Sequence, residues 1–332
     1  MRIHPLLGVL LWPLSIFYHA FVAIRLWLYQ RRILAQKRLP GTVISVGNLT
    51  VGGTGKTPMV LWLAEHFVSE GKRVGILSRG YRGSGFDSDE IRLMQNRLGG
   101  RVAFGVGKDR FREGSRLAEK GIDLFLLDDG FQHLRVARDL DIVLVDATVP
   151  LEAQSLLPAG PLREPTAALQ RADIVVMTRA GAHHSVEARD SHRYPIFYAK
   201  MRLLGFRKLA GDPNLEYLSE IPPGPFYAFC GIGNPEAFIA DLKRWHVDVA
   251  GQRFFRDHYG YSAAEIRELF EAATRCGARG LVTTEKDAAN CEGAPGGPLP
   301  IYVAVIAMEP NSESEFLAAI HRKLHTAGGA NA

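Results

Sequence analysis

One stretch, Gly47 to Thr57 (GNLTVGGTGKT), constrains this chain more than any other. Before it, Thr42–Val46 (TVISV) is a short β-branched run that reads as a strand; after it, Pro58–Ser69 reads as a helix that Gly71 ends. Strand, glycine-rich loop, Lys-Thr and helix is the arrangement in which backbone N–H groups and a helix N-terminus receive phosphate oxygens. On this reading Thr50, Val51, Gly52, Gly53, Thr54, Gly55, Lys56 and Thr57 cradle the phosphates of a nucleotide. Lys56 reaches the β- and γ-phosphates, and the Thr57 hydroxyl ligates Mg2+. The usual Gly-x4-Gly-Lys-Thr pattern begins here with Thr50, so the loop is a variant in which Gly52 and Gly53 supply the permissive positions. A glycine-rich turn without a ligand is the plain alternative, and strand, Lys-Thr and helix all in place argue against it.

The elements that follow alternate as a doubly wound α/β sheet requires. Lys72–Leu77 reads as a strand, Asp87–Leu98 as a helix with an Asp87/Glu90 capping box, Arg101–Val106 as a strand and Asp109–Lys120 as a helix. Ile122–Leu127 is a nearly all-apolar buried strand running into Asp128-Asp129-Gly130. Carboxylates at the carboxyl end of a central strand face the ligand crevice, where a nucleotide's metal would sit. Asp141–Val145 and Asp173–Met177 continue the sheet. After Leu204 the pattern changes: Phe206–Pro225 has poor periodicity and four prolines, then strands and helices resume. With 332 residues, about two domains are expected. The expected division is an N-terminal hydrophobic helix and basic junction (1–38), a P-loop domain (39–205), a hinge (206–225) and a smaller C-terminal α/β domain (226–332).

The N-terminus has its own character. Ile3–Ile24 holds no charged residue, and sixteen of these 22 residues are apolar or aromatic. That length suffices to cross a bilayer. A cleaved signal peptide is disfavoured, because the run is long and the basic cluster follows it. A transmembrane anchor, an interfacial helix and a buried helix stay open. Pro13, His4, Ser15, His19 and the aromatic residues Trp12, Tyr18, Trp27 and Tyr29 favour a helix lying in or partly inserted into the membrane face. Arg25, Arg31, Arg32, Lys37 and Arg38 would then meet anionic headgroups. These five residues account for the net charge of +5, since the other 35 bases match 35 acids. The excess is therefore local, and a nucleic-acid-binding surface is not expected. Cys230, Cys276 and Cys291 lack the spacing of a zinc knuckle or redox pair and read as buried or incidental thiols.

Taken together, eight stretches in order resemble the tetraacyldisaccharide 4'-kinase family, the lipid A 4'-kinases: VGNLTVGGTGKTP (46–58), LSRGY (77–81), GKDR (107–110), DDGFQH (128–133), LPAGPLRE (157–164), CGIGNPE (230–236), RDH (256–258) and TTEKD (283–287). The resemblance implies transfer of the ATP γ-phosphate to a sugar hydroxyl of an acylated disaccharide phosphate lipid, at the cytoplasmic face of the inner membrane. It also implies a P-loop core, a smaller C-terminal α/β domain and a membrane-associated N-terminal helix. No obligate protein partner is expected.

The resemblance also assigns site residues. The family's catalytic aspartate falls on Asp89, where Ser88 replaces a glycine, and its histidine partner falls on His258. A positioned Asp–His pair can orient a sugar hydroxyl and share its proton, whereas a lone carboxylate is a poor base. Domain closure is expected to bring the two together. Thr57, Asp128 and Asp129 are the expected Mg2+ ligands, with Asp129 alternatively a support that orients Asp128, and Glu164 is either a further acidic contributor or a surface ion-pair partner. Arg79 and Arg110 are placed where phosphate could be met. Asp89 has a plain alternative as a first-turn carboxylate favoured by the helix dipole. The competing function is a membrane-associated P-loop switch or metal-delivery NTPase acting on a protein partner, and the absence of an Asn-Lys-x-Asp sequence argues against a GTPase. A membrane-anchored module without catalysis would leave Asp89, His258 and the acidic pair without a task.

Overall fold

The computed structural model describes residues 5–80, 88–180, 194–209, 218, 220–291 and 296–329, with residues 5–10 and 327–329 described by backbone alone. They form two compact units. The first comprises Met1–Tyr81, Gly100–Lys200 and Met308–Ala332; the second comprises Arg82–Gly99 and Met201–Ala307. The second unit thus takes in a segment from within the expected P-loop domain, and the C-terminal residues belong with the first unit.

In the first unit, α1 (Pro5–Gln30) leads to β1 (Thr42–Asn48), α2 (Lys56–Ser69), β2 (Val74–Ser78), β3 (Ala103–Val106), α4 (Arg110–Glu119), β4 (Leu124–Asp128), β5 (Leu140–Asp146) and β6 (Ile174–Thr178). The strands run β3-β2-β4-β1-β5-β6. Every pairing among them is parallel. β1, β2, β4 and β5 are buried almost throughout, as their unbroken apolar runs require. The chain passes from β3 back to β4 on one side of β1 and then to β5 on the other, so the order reverses at β1. Ligands bind at such a reversal, beyond the carboxyl ends of the strands.

The second unit carries α3 (Asp89–Leu98), β8 (Phe226–Cys230), α5 (Pro235–Arg244), β9 (Val249–Phe254), α6 (Ala263–Arg275), β10 (Gly280–Thr284) and α7 (Glu285–Ala288). Between the units the chain runs through β7 (Ile196–Lys208) and returns through β11 (Ile301–Pro310), which leads to α8 (Glu313–Gly329). The order within the second unit is β11-β10-β8-β9, again parallel. Phe226, Phe238, Leu242 and Val282 fill one face of this small sheet, and Phe229, Leu269, Phe270 and Leu281 the other.

Several boundaries differ from expectation for local reasons. α2 starts at Lys56, because Pro58 in the first turn lacks only an N–H that a helix start leaves unpaired anyway. α3 starts at Asp89, with Ser88 accepting from the Ile91 N–H at 3.3 Å as N-cap. Asp87 and Tyr81 lie outside the described residues. β7 has no counterpart among the expected strands; its inward Ala199 and Met201 alternate with outward Lys200 and Arg202, a period-two signal over only a few residues. α1 continues past Ile24 to Gln30 with Pro13 inside it. It is not the buried helix of the plain alternative, since Trp12, Leu14, Ile16, Phe17, Phe21 and Ile24 are all exposed.

Candidate active site

The phosphate loop begins where β1 ends and is gripped from behind. Val51 N–H donates to the Pro161 carbonyl at 2.8 Å. Thr178 Oγ1 donates to the Thr54 carbonyl at 3.0 Å, and Arg179 donates to the Gly53 carbonyl at 2.8 Å. Gly55 caps α2 in a left-handed conformation, φ 94°, without a side-chain cap, and the first turn holds no acid. An uncapped N-terminus leaves N–H groups and the positive end of the dipole for an anion. Gly52, at φ 135°, and Gly53 have open space where a side chain would begin. The buried Thr54 hydroxyl has no hydrogen-bond partner among the described residues. These features fit phosphate oxygens.

Beside it, β4 ends in the acidic pair. The chain turns back sharply: Gly130 N–H donates to the Val46 carbonyl at 2.9 Å, and Asp129 has φ 49°. A Cβ on Gly130 would lie 2.6 Å from Ser45 Oγ, and one on Gly47 would lie 2.5 Å from Phe131 Cβ, so the two loops approach as only glycine allows. Asp128 is buried and accepts from Ser78 Oγ at 3.2 Å. Asp129 is half-exposed. Its carboxylate meets Arg163 Nη1 at 2.7 and 2.9 Å and Lys56 Nζ at 3.6 Å, and its carbonyl accepts from the buried Arg110 at 3.0 Å. Burial pushes the Asp129 carboxyl up, but Lys56 and Arg163 outweigh it and hold the group below the ordinary carboxylate range. Thr57, Asp128 and Asp129 offer the hard oxygen donors that suit Mg2+.

Glu164 does not join this pair. With Arg163 turned to Asp129, Glu164 is buried against Arg171, whose guanidinium lies 4.4 Å from the centre of the Phe131 ring. Burial raises its carboxyl despite the arginine. Arg110 is likewise a support rather than an exposed phosphate ligand, while Arg79 is exposed. His133 is pushed down to about 4 by burial and by Arg110, Arg138, Arg25 and Arg135.

In the second unit, Asp89 and His258 are in contact without any closure. His258 Nδ1 lies 2.9 and 3.1 Å from the two oxygens of the buried Asp89 carboxylate. Asp89 also accepts from the Glu90 N–H at 3.0 Å and from Asn290 Nδ2 at 3.4 Å. Lys286, absent from the expected site, completes it: its Nζ is 2.8 Å from Asp257, 3.8 Å from Glu90 and 3.3 Å from His258 Nε2. Burial works against the Lys286 charge, but Glu90 and Asp257 prevail and raise its pKa. An ammonium donating to Nε2 places the proton of a neutral His258 on Nδ1, facing Asp89; the tautomer is assigned from these contacts. The hydrogen bond to Asp89 raises the His258 pKa against burial and Lys286. Burial raises the Asp89 carboxyl, but His258 and Lys286 bring it below its ordinary value.

The loop that presents His258, itself at φ 57°, is fixed by a fully buried carboxylate. Asp287 accepts from the Gly231 N–H at 2.8 Å, Tyr261 OH at 2.8 Å and Thr284 Oγ1 at 2.6 Å. The Gly231 carbonyl then accepts from the His258 N–H at 3.2 Å. α3 is tied into the same unit by Arg97, which reaches Glu285 at 3.3 Å and the Ile306 carbonyl at 3.0 Å. That anchoring is why Asp89 goes with His258.

Helix α1 docks through a few polar contacts on loops of the first unit. Tyr18 OH donates to the Arg163 carbonyl at 2.9 Å, Arg25 to the Gln132 carbonyl at 2.9 Å and Ser15 Oγ to the Leu156 carbonyl at 3.1 Å. Among the described residues it is the one helix long and apolar enough to cross a membrane. The basic cluster is partly engaged within the protein: Arg38 pairs with Asp139 at 2.9 Å and Lys37 lies over the Phe111 ring.

The chain is similar to known proteins over most of its length. A family model described as tetraacyldisaccharide-1-P 4'-kinase (LpxK) matches residues 7–325. The chain is 39% identical over 319 residues to the tetraacyldisaccharide 4'-kinase of Geobacter metallireducens, covering 90% of this chain and 93% of the relative. It is 38% identical over 311 residues to that of Syntrophobacter fumaroxidans, covering 86% and 79%. Its fold is similar to the crystal structure of LpxK from Aquifex aeolicus in complex with ATP, with TM-score 0.72, 30% identity, and coverage of 96% of this chain and 99% of that one.

Proposed function

The chain belongs to the tetraacyldisaccharide 4'-kinase family, and we propose that its two units divide the reaction, one holding ATP and the other activating the acceptor hydroxyl. It is an ATP-dependent phosphotransferase of lipid A biosynthesis, acting on the 4'-hydroxyl of an acylated glucosamine disaccharide 1-phosphate. The assignment of individual residues to steps is our reading, and the Asp89–His258 contact carries it.

The α2 N-terminus and the loop Thr50–Thr57 receive the phosphates, and Lys56 exchanges its contact with Asp129 for the β- and γ-phosphates. Thr57, Asp128 and Asp129 hold Mg2+, which when bound with the nucleotide neutralises charge on the phosphates. Ser78 orients Asp128, and Arg163 keeps Asp129 ionised. Asp89 accepts the proton of the sugar hydroxyl as the new P–O bond forms, the γ-phosphate's bond to ADP breaks and ADP departs. His258 fixes the carboxylate in one orientation and stabilises its charge, and Lys286 fixes the tautomer of His258.

The lipid acceptor gives α1 a task. Its exposed Trp12, Phe17, Phe21 and Ile24 suit the acyl region of a membrane, and Arg31 and Arg32 at its end suit anionic headgroups. On this reading the enzyme works at a membrane surface, the cytoplasmic face of the inner membrane being the side we assign to it.

The test separates nucleotide binding from chemistry. Asp89→Asn is expected to lower kcat on the acylated disaccharide at least a hundredfold with ATP affinity unchanged, as general-base contributions of about 10²–10⁴ imply. Lys56→Ala is expected to abolish turnover. Wild-type kcat in Asp89→Asn would remove Asp89 from the base role.

A further inference from the structure

We propose that His66, Glu70 and His321 form a site for one divalent transition-metal ion of zinc's class, distinct from the Mg2+ that accompanies ATP, and that the ion staples α8 to α2. His66 and Glu70 are four residues apart at the C-terminal end of α2, so they share a face. His321 comes from α8, whose Phe316, Ala319 and Ile320 are buried and so bring its neighbour against α2.

The rings are held by aromatic packing. Trp62, one turn earlier on α2, stacks on His66 at 5.8 Å with planes 8° apart and also packs on Phe316 at 5.5 Å. Phe67 presents its edge geometry to both imidazoles, at 5.5 Å from His66 and 6.2 Å from His321. With their faces so engaged, both Nε2 atoms point at one oxygen. His66 Nε2 and His321 Nε2 each lie 3.0 Å from Glu70 Oε1. The three donor atoms are all within 4.8 Å of one another.

The chemistry and spacing favour a metal. Bonds of about 2.0–2.1 Å to a common ion place neighbouring donors about 3.0–3.4 Å apart, close to the observed nitrogen–oxygen separations. Two imidazoles and one carboxylate are a donor set for Zn2+, Co2+ or Ni2+ rather than Mg2+, which prefers oxygen. The three side chains are partly exposed, so an ion can enter and keep water in its remaining positions. Without an ion, the same contacts would be two imidazole N–H groups donating to one carboxylate, and binding decides between the two.

His66 lies ten residues along α2 from Lys56, about 15 Å at the helical rise, so the ion would brace the helix that carries the phosphate lysine. The experiment uses the untagged full chain, stripped with a chelator and titrated with Co2+ and then Zn2+ in excess Mg2+. The expected result is one equivalent of Co2+ with a ligand-field spectrum, displacement by Zn2+, and a higher thermal midpoint with Zn2+. His66→Gln and His321→Gln should each weaken binding about a hundredfold or more, since even outer-sphere losses cost 10–100-fold. A scan without metal identifies any variant that fails to fold, for which Glu70→Gln substitutes. No binding in excess Mg2+, or one equivalent retained at wild-type affinity in the double histidine variant, would overturn the proposal.

Discussion

Replacing His258 by alanine removes the Nδ1–H that reaches both oxygens of Asp89, at 2.9 and 3.1 Å, and leaves the carboxylate in place. Asp89 is only 5% exposed, so water does not readily restore the lost contact. It keeps the Glu90 N–H at 3.0 Å and Asn290 at 3.4 Å. A hydrogen bond to a charged group is worth about 1.5–3 kcal/mol. If that interaction orients the base in the transition state, kcat falls about 10- to 150-fold. The assay is turnover of the acylated disaccharide at saturating ATP, with ATP affinity measured separately and expected to hold. In combination, Asp89→Asn with His258→Ala should be little worse than Asp89→Asn alone, because the histidine acts through the aspartate. Independent, additive losses would refute the pair as a unit. Stability supplies a second reading of the same variant. The hydrogen bond to Asp89 holds His258 above its ordinary 6.5, so its contribution is full below 6.5 and lost as pH rises through the folded value. Burial pushes Asp89 up but His258 and Lys286 hold it below 3.8, so its contribution is present above 3.8 and lost as pH falls through the folded value. Urea unfolding should therefore show the widest gap between wild type and His258→Ala between those limits, near pH 5 to 6, and a narrower one well above the raised histidine pKa.

Three further perturbations address parts outside that pair. Glu164→Gln removes a buried partner of Arg171 and should lower stability by about 3 kcal/mol or more in chemical denaturation while leaving the Mg2+ dependence of turnover unchanged; a shifted Mg2+ requirement would return Glu164 to the metal. Tyr18→Phe deletes the donor to the Arg163 carbonyl, about 1 kcal/mol, and should raise KM for the lipid acceptor without altering ATP affinity; equal effects on both would contradict a role specific to the membrane helix. Replacing Arg31 and Arg32 by glutamine should reduce recovery with anionic vesicles by flotation, each charge being worth about 1 kcal/mol near the surface, and should do so less at high salt.

The parts of this molecule legible in its sequence are those whose physics is local. The strand, loop and helix around Gly47–Thr57 and the apolar run into Asp128 each fix their own conformation, and they stand where the residues place them. What stayed hidden depends on distant partners. Arg163 and Glu164 are adjacent in the chain and only Glu164 offers a metal ligand, yet it is Arg163 that meets Asp129 while Glu164 meets Arg171. Lys286 sits inside a motif without signalling its contact with His258. That residues 88–99 belong with the second unit is not legible in the sequence, because their anchor is Arg97 on Glu285 and Ile306, late in the chain. Asp89 shows how a plain reading and a functional one can both hold. It does occupy the first turn of α3 and accepts the Glu90 N–H there, as a dipole-favoured carboxylate should. Such a group is a weak base, and His258 and Lys286 make it weaker still. In a loose phosphoryl-transfer transition state, however, the attacking oxygen carries little developing charge, so catalysis rests on position more than basicity. A carboxylate pinned by a helix N-terminus on one side and an oriented imidazole on the other suits that demand: in the proposed role it would hold the hydroxyl in line and take its proton once the new P–O bond has made that proton acidic.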